Sequence, residues 1–164
     1  MARAVDGEPG LVPRTALVAQ LWANGGGMTR IIVEGGDFRL SLATIDRAGP
    51  FSRFAGMVRH FAVVAGEVVL QPYGVVLNRA SDPFRFSGDD AVHAELPAGP
   101  ACALNLIAPD DRLRLERHQG GTIADVHAVF ALDALIAGGQ ALQRHDTVLP
   151  IGPVTVSGPV LVVR

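Results

Sequence analysis

The sequence predicts an all-β protein of the sandwich or barrel type, with one or two short helices. Glycine and proline, 19 and 11 of the 164 residues, recur at short intervals and divide the chain into short segments. Many of these segments alternate apolar and polar residues or are rich in valine, leucine and isoleucine. Short strands separated by frequent turns are typical of β-sandwiches and β-barrels.

FRLSLATI (38–45) is the clearest candidate strand, because successive side chains of a strand point to opposite faces. One face carries Phe38, Leu40 and Leu42, and the other carries Arg39, Ser41 and Ala43. Further candidate strands are VRHFAVV (58–64), EVVL (67–70), AVHAEL (91–96), ACALNLIA (101–108), RLRLE (112–116), VTV (154–156) and VLVV (160–163). A short Gly-Pro turn separates the last two, which predicts a terminal hairpin.

Two segments have a helical periodicity. TALVAQLW (15–22) predicts two helical turns with Thr15 as the N-cap, ended by the glycines that follow. ADVHAVFALDALIAGG (124–139) fits a helix closed by Gly138, but its first half also fits a strand with Val126, Ala128 and Phe130 on one face. We favour the strand for that first half.

Charge and hydropathy exclude several classes of partner. The formal net charge is −2 and the chain has no basic run, so nucleic acid is not an expected ligand. No stretch reaches eighteen uncharged apolar residues, and the N-terminal MARAVDGEPG is unlike a signal peptide. We therefore expect a soluble, cytoplasmic protein without a membrane segment. No linker divides residues 1–164, which predicts a single compact unit.

The glycine-rich stretch WANGGGMTR (22–30) is not a phosphate-binding loop. A P-loop needs a lysine, which the chain lacks, and a dinucleotide fingerprint needs a glycine where Arg30 stands. Glycines also allow backbone conformations that other residues avoid, and they let another backbone or a ligand approach closely. The stretch is therefore interpreted as a permissive loop.

The histidines and cysteine do not predict a metal site or a cofactor. The five histidines, His60, His93, His118, His127 and His145, include no pair at a spacing that places two imidazoles side by side. Cys102, the single cysteine, lies in an apolar run where an inert thiol is expected. A Gly-x-Ser-x-Gly motif is also absent, so no signature of a hydrolase emerges.

Arginines on predicted strands offer the most specific chemistry. Arg30, Arg39, Arg59 and Arg85 are the candidates. A guanidinium matches a carboxylate with two parallel hydrogen bonds. Two converging arginines are sufficient to hold a small dicarboxylate at about micromolar strength.

Four blocks in a fixed order resemble the HutD/Ves family: WANGGGMTR (22–30), FRLSLATIDRAGPFSRFAGMVR (38–59), PFRFSGD (83–89) and LPAGPACALNLI (96–107). The resemblance implies an RmlC-like cupin (jelly-roll) fold, built as a bicupin from two fused or interleaved halves. It also implies a metal-independent protein that governs histidine utilisation by sensing a small carboxylate metabolite, such as formylglutamate, formiminoglutamate or urocanate. Where the family pattern has acidic residues, this chain has Ile31, Val58 and Ala103.

The resemblance and the arginine argument together give a predicted ligand site of Asn24, Thr29, Arg30, Arg39, Ser41, Arg59 and Asn105. Asn24 and Arg30 are expected to face the acid from the glycine-rich loop, with Thr29 in support, whereas Pro50, Phe51 and Gly56 are expected to shape a turn and wall. Two alternatives remain. One is a cupin isomerase or hydrolase that uses His93 with Glu95 or His60, and the other is a structural protein that binds a partner, a second copy included, through an apolar surface.

Overall fold

The computed structural model describes residues 10–35 and 37–164. The prediction that the chain lacks a signal peptide concerns mainly residues 1–9, which lie outside this part. Strands are numbered β1 to β19 along the described chain. They form two compact units: a central unit, Val18–Arg112, and a terminal unit, in which residues 10–17 join Leu113–Arg164.

The central unit contains two antiparallel sheets. In spatial order, the larger sheet consists of β2 (Ala19–Leu21), β3 (Gly27–Gly35), β4 (Phe38–Ile45), β11 (Ala101–Ala108), β6 (Val58–Ala65) and β9 (Phe84–Ser87). The smaller sheet consists of β5 (Gly49–Pro50), β10 (His93–Glu95), β7 (Glu67–Gln71) and β8 (Val75–Asn78). An apolar cluster that includes Ile45, Phe61, Val68 and Leu70 draws its residues from both sheets and forms the core of the unit.

The terminal unit also contains two antiparallel sheets. One consists of β1 (Leu11–Val12), β17 (Thr147–Val148), β14 (Ala128–Ala131), β19 (Val160–Val163) and β12 (Leu115–His118). The other consists of β13 (Gly121–Ile123), β18 (Val154–Val156), β15 (Leu135–Ala137) and β16 (Gln140–Leu142). A buried cluster in this unit is wholly aliphatic and includes Val129, Leu142, Val154 and Val162.

The all-β prediction is confirmed, but the helix predicted at 15–22 is wrong. A three-residue 3-10 helix, Arg14–Ala16, is followed directly by β2. Strand pairing overrides the local helical pattern, because Ala19–Leu21 forms a hairpin with β3 and pairs with Arg30, Thr29 and Met28. The strand favoured for the first half of 124–139 is confirmed by β14, the second half contains β15, and no helix forms in that segment.

The predicted terminal hairpin is also wrong. β18 pairs with β13 and β15, whereas β19 pairs with β12 and β14 in the other sheet. The turn at Ser157–Pro159 therefore carries the chain from one sheet to the other. Residue pattern alone gives no register between strands that are distant in sequence.

Candidate functional site

A cavity of about 460 Å³ lies in the central unit. Its size falls within the range of small-molecule sites, roughly 300–1,000 Å³. Strands β3, β4, β6 and β11, the hairpin of β2 and β3, and the segment after β5 provide its wall. The lining residues are Gln20, Leu21, Trp22, Ala23, Asn24, Thr29, Arg39, Ser41, Ala43, Ile45, Pro50, Phe51, Ser52, Phe54, Arg59, Phe61, Asn105 and Ile107.

Strand register places the two arginines of the cavity in one row. Arg39 of β4 pairs with Ile107 of β11, and Ile107 pairs with Arg59 of β6. Residues that pair directly across strands share a face of the sheet, and neighbouring strands lie about 4.8 Å apart. The two Cα atoms are therefore about 10 Å apart, with Ile107 between them.

Arg59 is the most buried charged residue of the site, with 6% of its surface exposed. Its Nη1 donates to the carbonyl oxygen of Ser52 at 3.0 Å, and its Nη2 donates to Oδ1 of Asn105 at 3.0 Å. Both acceptors are neutral. The Nε atom of Arg59 is buried and has no hydrogen-bond partner among the described residues. The guanidinium is thus fixed in orientation while its charge remains uncompensated.

Aromatic rings enclose the same guanidinium. Its central carbon lies 5.3, 5.2 and 4.9 Å from the ring centres of Phe51, Phe54 and Phe86. Ring faces attract cations, and they also exclude the water that would otherwise solvate the charge. Burial, followed by the positive charge of Arg39, lowers the pKa of Arg59 from its ordinary value to about 10.

Arg39 lies at the other end of the row and is half-buried. Its guanidinium carbon lies 5.8 Å from the ring centre of Phe54, and its Nε atom is buried without a hydrogen-bond partner in the described chain. The lining residues include no aspartate, glutamate or histidine. The cavity therefore holds two cationic groups and no acidic side chain to balance them.

The segment Phe51–Met57 is held in place by contacts with residues 88–92. Phe54 N donates to the carbonyl oxygen of Gly88, and Gly88 N donates to that of Met57, each at 2.8 Å. Gly56 N donates to Oδ1 of Asp89 at 3.0 Å. A Cβ atom on Gly88 would lie 2.2 Å from the carbonyl oxygen of Phe54, so only glycine permits this contact. The segment in turn supplies the Ser52 carbonyl and two of the rings around Arg59.

The glycine-rich stretch is a tight hairpin turn beside the cavity. Asn24 Oδ1 accepts from Gly26 N at 2.8 Å, and Trp22 N donates to the carbonyl oxygen of Gly27 at 2.9 Å. A Cβ atom on Gly27 would lie 2.3 Å from the carbonyl oxygen of Thr44. Because Gln20, Leu21, Ala23 and Asn24 are exposed as well as lining the cavity, this hairpin forms its mouth.

Most of the predicted site residues meet in the cavity. Arg39, Ser41, Arg59 and Asn105 lie on its floor, and Ser41 pairs with Asn105 across β4 and β11. Asn24 and Thr29 line the mouth, although the amide oxygen of Asn24 is engaged by Gly26 N, and Thr29 Oγ1 accepts from Trp22 Nε1 at 2.8 Å.

Arg30 is not brought to the cavity, contrary to the expectation that it faces the ligand. It follows Thr29 on β3 and therefore points to the other face of the sheet, where its Nη1 lies 3.4 Å from Thr44 Oγ1. The candidate Arg85 is also elsewhere, in an exposed ion pair with Asp111 at 2.6 Å.

Three of the residues that surround Arg59, namely Ser52, Phe54 and Phe86, were not among the predicted site residues. Ser52 contributes only its backbone carbonyl, which no side-chain pattern reveals. Phe51 and Pro50 line the cavity, in keeping with their predicted role as a wall, whereas Gly56 is outside the lining. Phe54 and Phe86 could have been noticed in the aromatic-arginine pattern of PFSRF and PFRF, but their convergence depends on the contact at Gly88.

The groups proposed for an enzymatic alternative lie outside the cavity. His93 and Glu95 are exposed on β10, and His60 follows Arg59 on the opposite face of β6. Within residues 10–35 and 37–164, no three metal-binding side chains are grouped to hold an ion. In the same residues, no helix has the length and apolar character needed to span a membrane.

Comparison with known proteins gives a consistent result. The model of the HutD family matches residues 14–149. An uncharacterized 21.2 kDa protein in the hutC 3' region of Pseudomonas putida is 37% identical over 105 residues, which are 57% of this chain and 54% of that protein. Protein Ves of Citrobacter koseri is 29% identical over 148 residues, 77% of this chain and 78% of that protein. The chain thus spans about half the length of the first of these relatives.

A solved structure extends the similarity to nearly the whole chain. HutD from Pseudomonas fluorescens SBW25, in a formate condition, superposes with a TM-score of 0.84 and 28% identity over 94% of this chain and 96% of that one. The predicted all-β, RmlC-like cupin fold is confirmed.

Proposed function

This chain belongs to the HutD family, and on that premise we propose that its central cavity binds a small carboxylate metabolite. The observation that carries the proposal is the pair Arg39 and Arg59, buried or half-buried in a cavity whose lining residues include no acid. Burying a charge without a partner is unfavourable, so the site favours a ligand that supplies negative charge. A carboxylate also matches the geometry of a guanidinium.

The chemistry of the lining supports binding more than acid-base catalysis. A general acid or base requires a titratable side chain close to the substrate. The lining offers hydroxyl and amide groups, from Thr29, Ser41 and Asn105, together with apolar walls. These groups orient and desolvate a ligand, but they are poor proton donors and acceptors near neutral pH.

The biological role that fits this site is the regulation of histidine utilisation. One relative lies in the hutC 3' region, and another is named HutD. The proposed ligands are acids of histidine breakdown, of the formylglutamate, formiminoglutamate or urocanate type. In this proposal the protein is cytoplasmic and free of cofactors, its two units are the two halves of a bicupin, and it acts by binding rather than by turnover.

Trp22, the single tryptophan of the chain, provides the test because it lines the cavity. Titration with formylglutamate, urocanate and glutarate should change its fluorescence in a saturable manner with at least one acid. The change should be absent in Arg59→Met and preserved in Arg53→Met, since Arg53 is exposed and is not part of the lining. Equal responses of the two variants, or no response of the unaltered protein to any small acid, would argue against carboxylate binding.

A further inference from the structure

Asn105 occupies a decisive position beside Arg59. It is 5% exposed, it pairs with Ser41 on one side and with Phe61 on the other, and its Oδ1 accepts from Nη2 of Arg59 at 3.0 Å. A guanidinium can only donate hydrogen bonds, so the oxygen of the amide must face it. The NH₂ group of Asn105 is therefore turned away from Arg59 and is available as a donor.

An aspartate at this position would have nearly the same shape and would accept the same hydrogen bond. It would, however, neutralise Arg59, because a carboxylate beside a buried guanidinium forms an ion pair. Asparagine instead provides an acceptor without a charge. The orientation of Arg59 and its uncompensated charge thus depend on the same side chain.

We propose that Asn105 sets the charge selectivity of the cavity: it positions Arg59 without neutralising it, so the site accepts acids without an ammonium group and rejects amino acids with a free one. This inference rests on the proposed carboxylate-binding function, and within it favours formylglutamate or urocanate over formiminoglutamate, whose formimino group is cationic near neutral pH. The ammonium group of an amino acid would enter a cavity with two guanidinium groups and no acidic lining residue. Like charges brought together at a desolvated site oppose binding.

Glutarate and glutamate form the most direct pair of probes, because they differ only by the amino group. We expect the unaltered protein to bind glutarate at least tenfold more tightly than glutamate, as measured by calorimetric titration. Asn105→Asp should retain the fold and thermal stability, lose at least tenfold in glutarate affinity, and show a much smaller preference for glutarate over glutamate. A merely structural role of Asn105 would not change that preference.

Asn78→Asp is the matched control. It introduces the same carboxylate outside the cavity, where Oδ1 of the exposed Asn78 accepts from Ala80 N at 2.8 Å and aspartate can do the same. This variant should keep the preference for glutarate close to that of the unaltered protein.

Three results would overturn the inference: an unchanged preference for glutarate in Asn105→Asp, an equal loss of that preference in Asn78→Asp, or glutamate binding as tight as glutarate binding by the unaltered protein. The comparison of glutarate with glutamate in the unaltered protein tests the inference even when Asn105→Asp does not fold. Failure of the unaltered protein to bind any small acid would instead refute the proposed function itself, and the inference with it.

Discussion

Arg39 and Arg59 lie in one row of the larger sheet of the central unit, on either side of Ile107, and burial, followed by the charge of Arg39, lowers the pKa of Arg59. Two positive charges in one cavity repel each other. An anion placed between them relieves this repulsion and also restores hydrogen bonds to the guanidinium groups. The strands thus provide a rigid support for two donors whose separation is fixed by the spacing of the sheet.

The lowered pKa of Arg59 predicts an unusual pH dependence of ligand binding. Glutarate affinity should fall as the pH rises through about 10, because Arg59 then loses the proton that binds the carboxylate. An ordinary arginine has a much higher pKa and would stay charged at this pH. Calorimetric titrations between pH 8 and 10.5 test the prediction, and an affinity that stays constant to pH 10.5 would contradict it.

The same shift has the opposite effect on stability. The folded state disfavours the charged form of Arg59, so the contribution of this group to the free energy of unfolding rises as the pH increases above about 10. As the pH rises above about 10, Arg59 should therefore contribute less to ligand binding and more to the free energy of unfolding. Circular dichroism at each pH of the titration shows whether the protein is still folded where binding is lost.

Gly88→Ala should weaken glutarate binding although Gly88 does not line the cavity. The added Cβ would collide with the carbonyl oxygen of Phe54, and the segment that carries Ser52 and two of the phenylalanines would have to move away from Arg59. A displacement of this kind commonly costs about 1–3 kcal/mol of stability. Gly49→Ala is the control, because a Cβ there meets no atom within 4 Å and its φ is not positive. Equal binding by both variants would show that the segment does not hold the site together.

Thr147→Val should leave the protein at least as stable as the unaltered chain. Thr147 is only 1% exposed, and its Oγ1 has no hydrogen-bond partner among the described residues. A buried hydroxyl without a partner is unfavourable by about 1–3 kcal/mol, whereas valine has almost the same shape. Thermal unfolding measures the effect, with Thr122→Val as the contrast, since Thr122 shares a 2.7 Å hydrogen bond with Thr155. A large loss of stability in Thr147→Val would indicate that this hydroxyl has a partner after all.

Alternation along single strands was the most informative signal in the sequence. FRLSLATI predicted β4 and separated Arg39, Ser41 and Ala43 from the leucines, and these three residues line the cavity. The leucines of the other face, Leu40 and Leu42, are fully buried. The polar face of β4 is therefore an internal surface rather than a solvated one.

The failures of prediction concern the pairing of strands and the direction of side chains along a strand. TALVAQLW has a helical pattern, but its second half becomes β2 through pairing with β3. β18 and β19 are neighbours in sequence and yet belong to different sheets. Arg30 belongs to the same motif as Thr29, but one residue along a strand reverses the direction of the side chain. The enclosure of Arg59 by Phe86 and by a backbone carbonyl required the three-dimensional contacts.

The central claim is that Arg39 and Arg59, from separate strands, bind one diacid together. Calorimetric titration of glutarate and butyrate against the unaltered protein, Arg39→Met and Arg59→Met tests it most directly. A charge-assisted hydrogen bond contributes about 1.5–3 kcal/mol, so the unaltered protein should prefer the diacid at least tenfold. Both variants should lose that preference. Retention of the preference in either variant, or equal binding of the two acids by the unaltered protein, would contradict the claim.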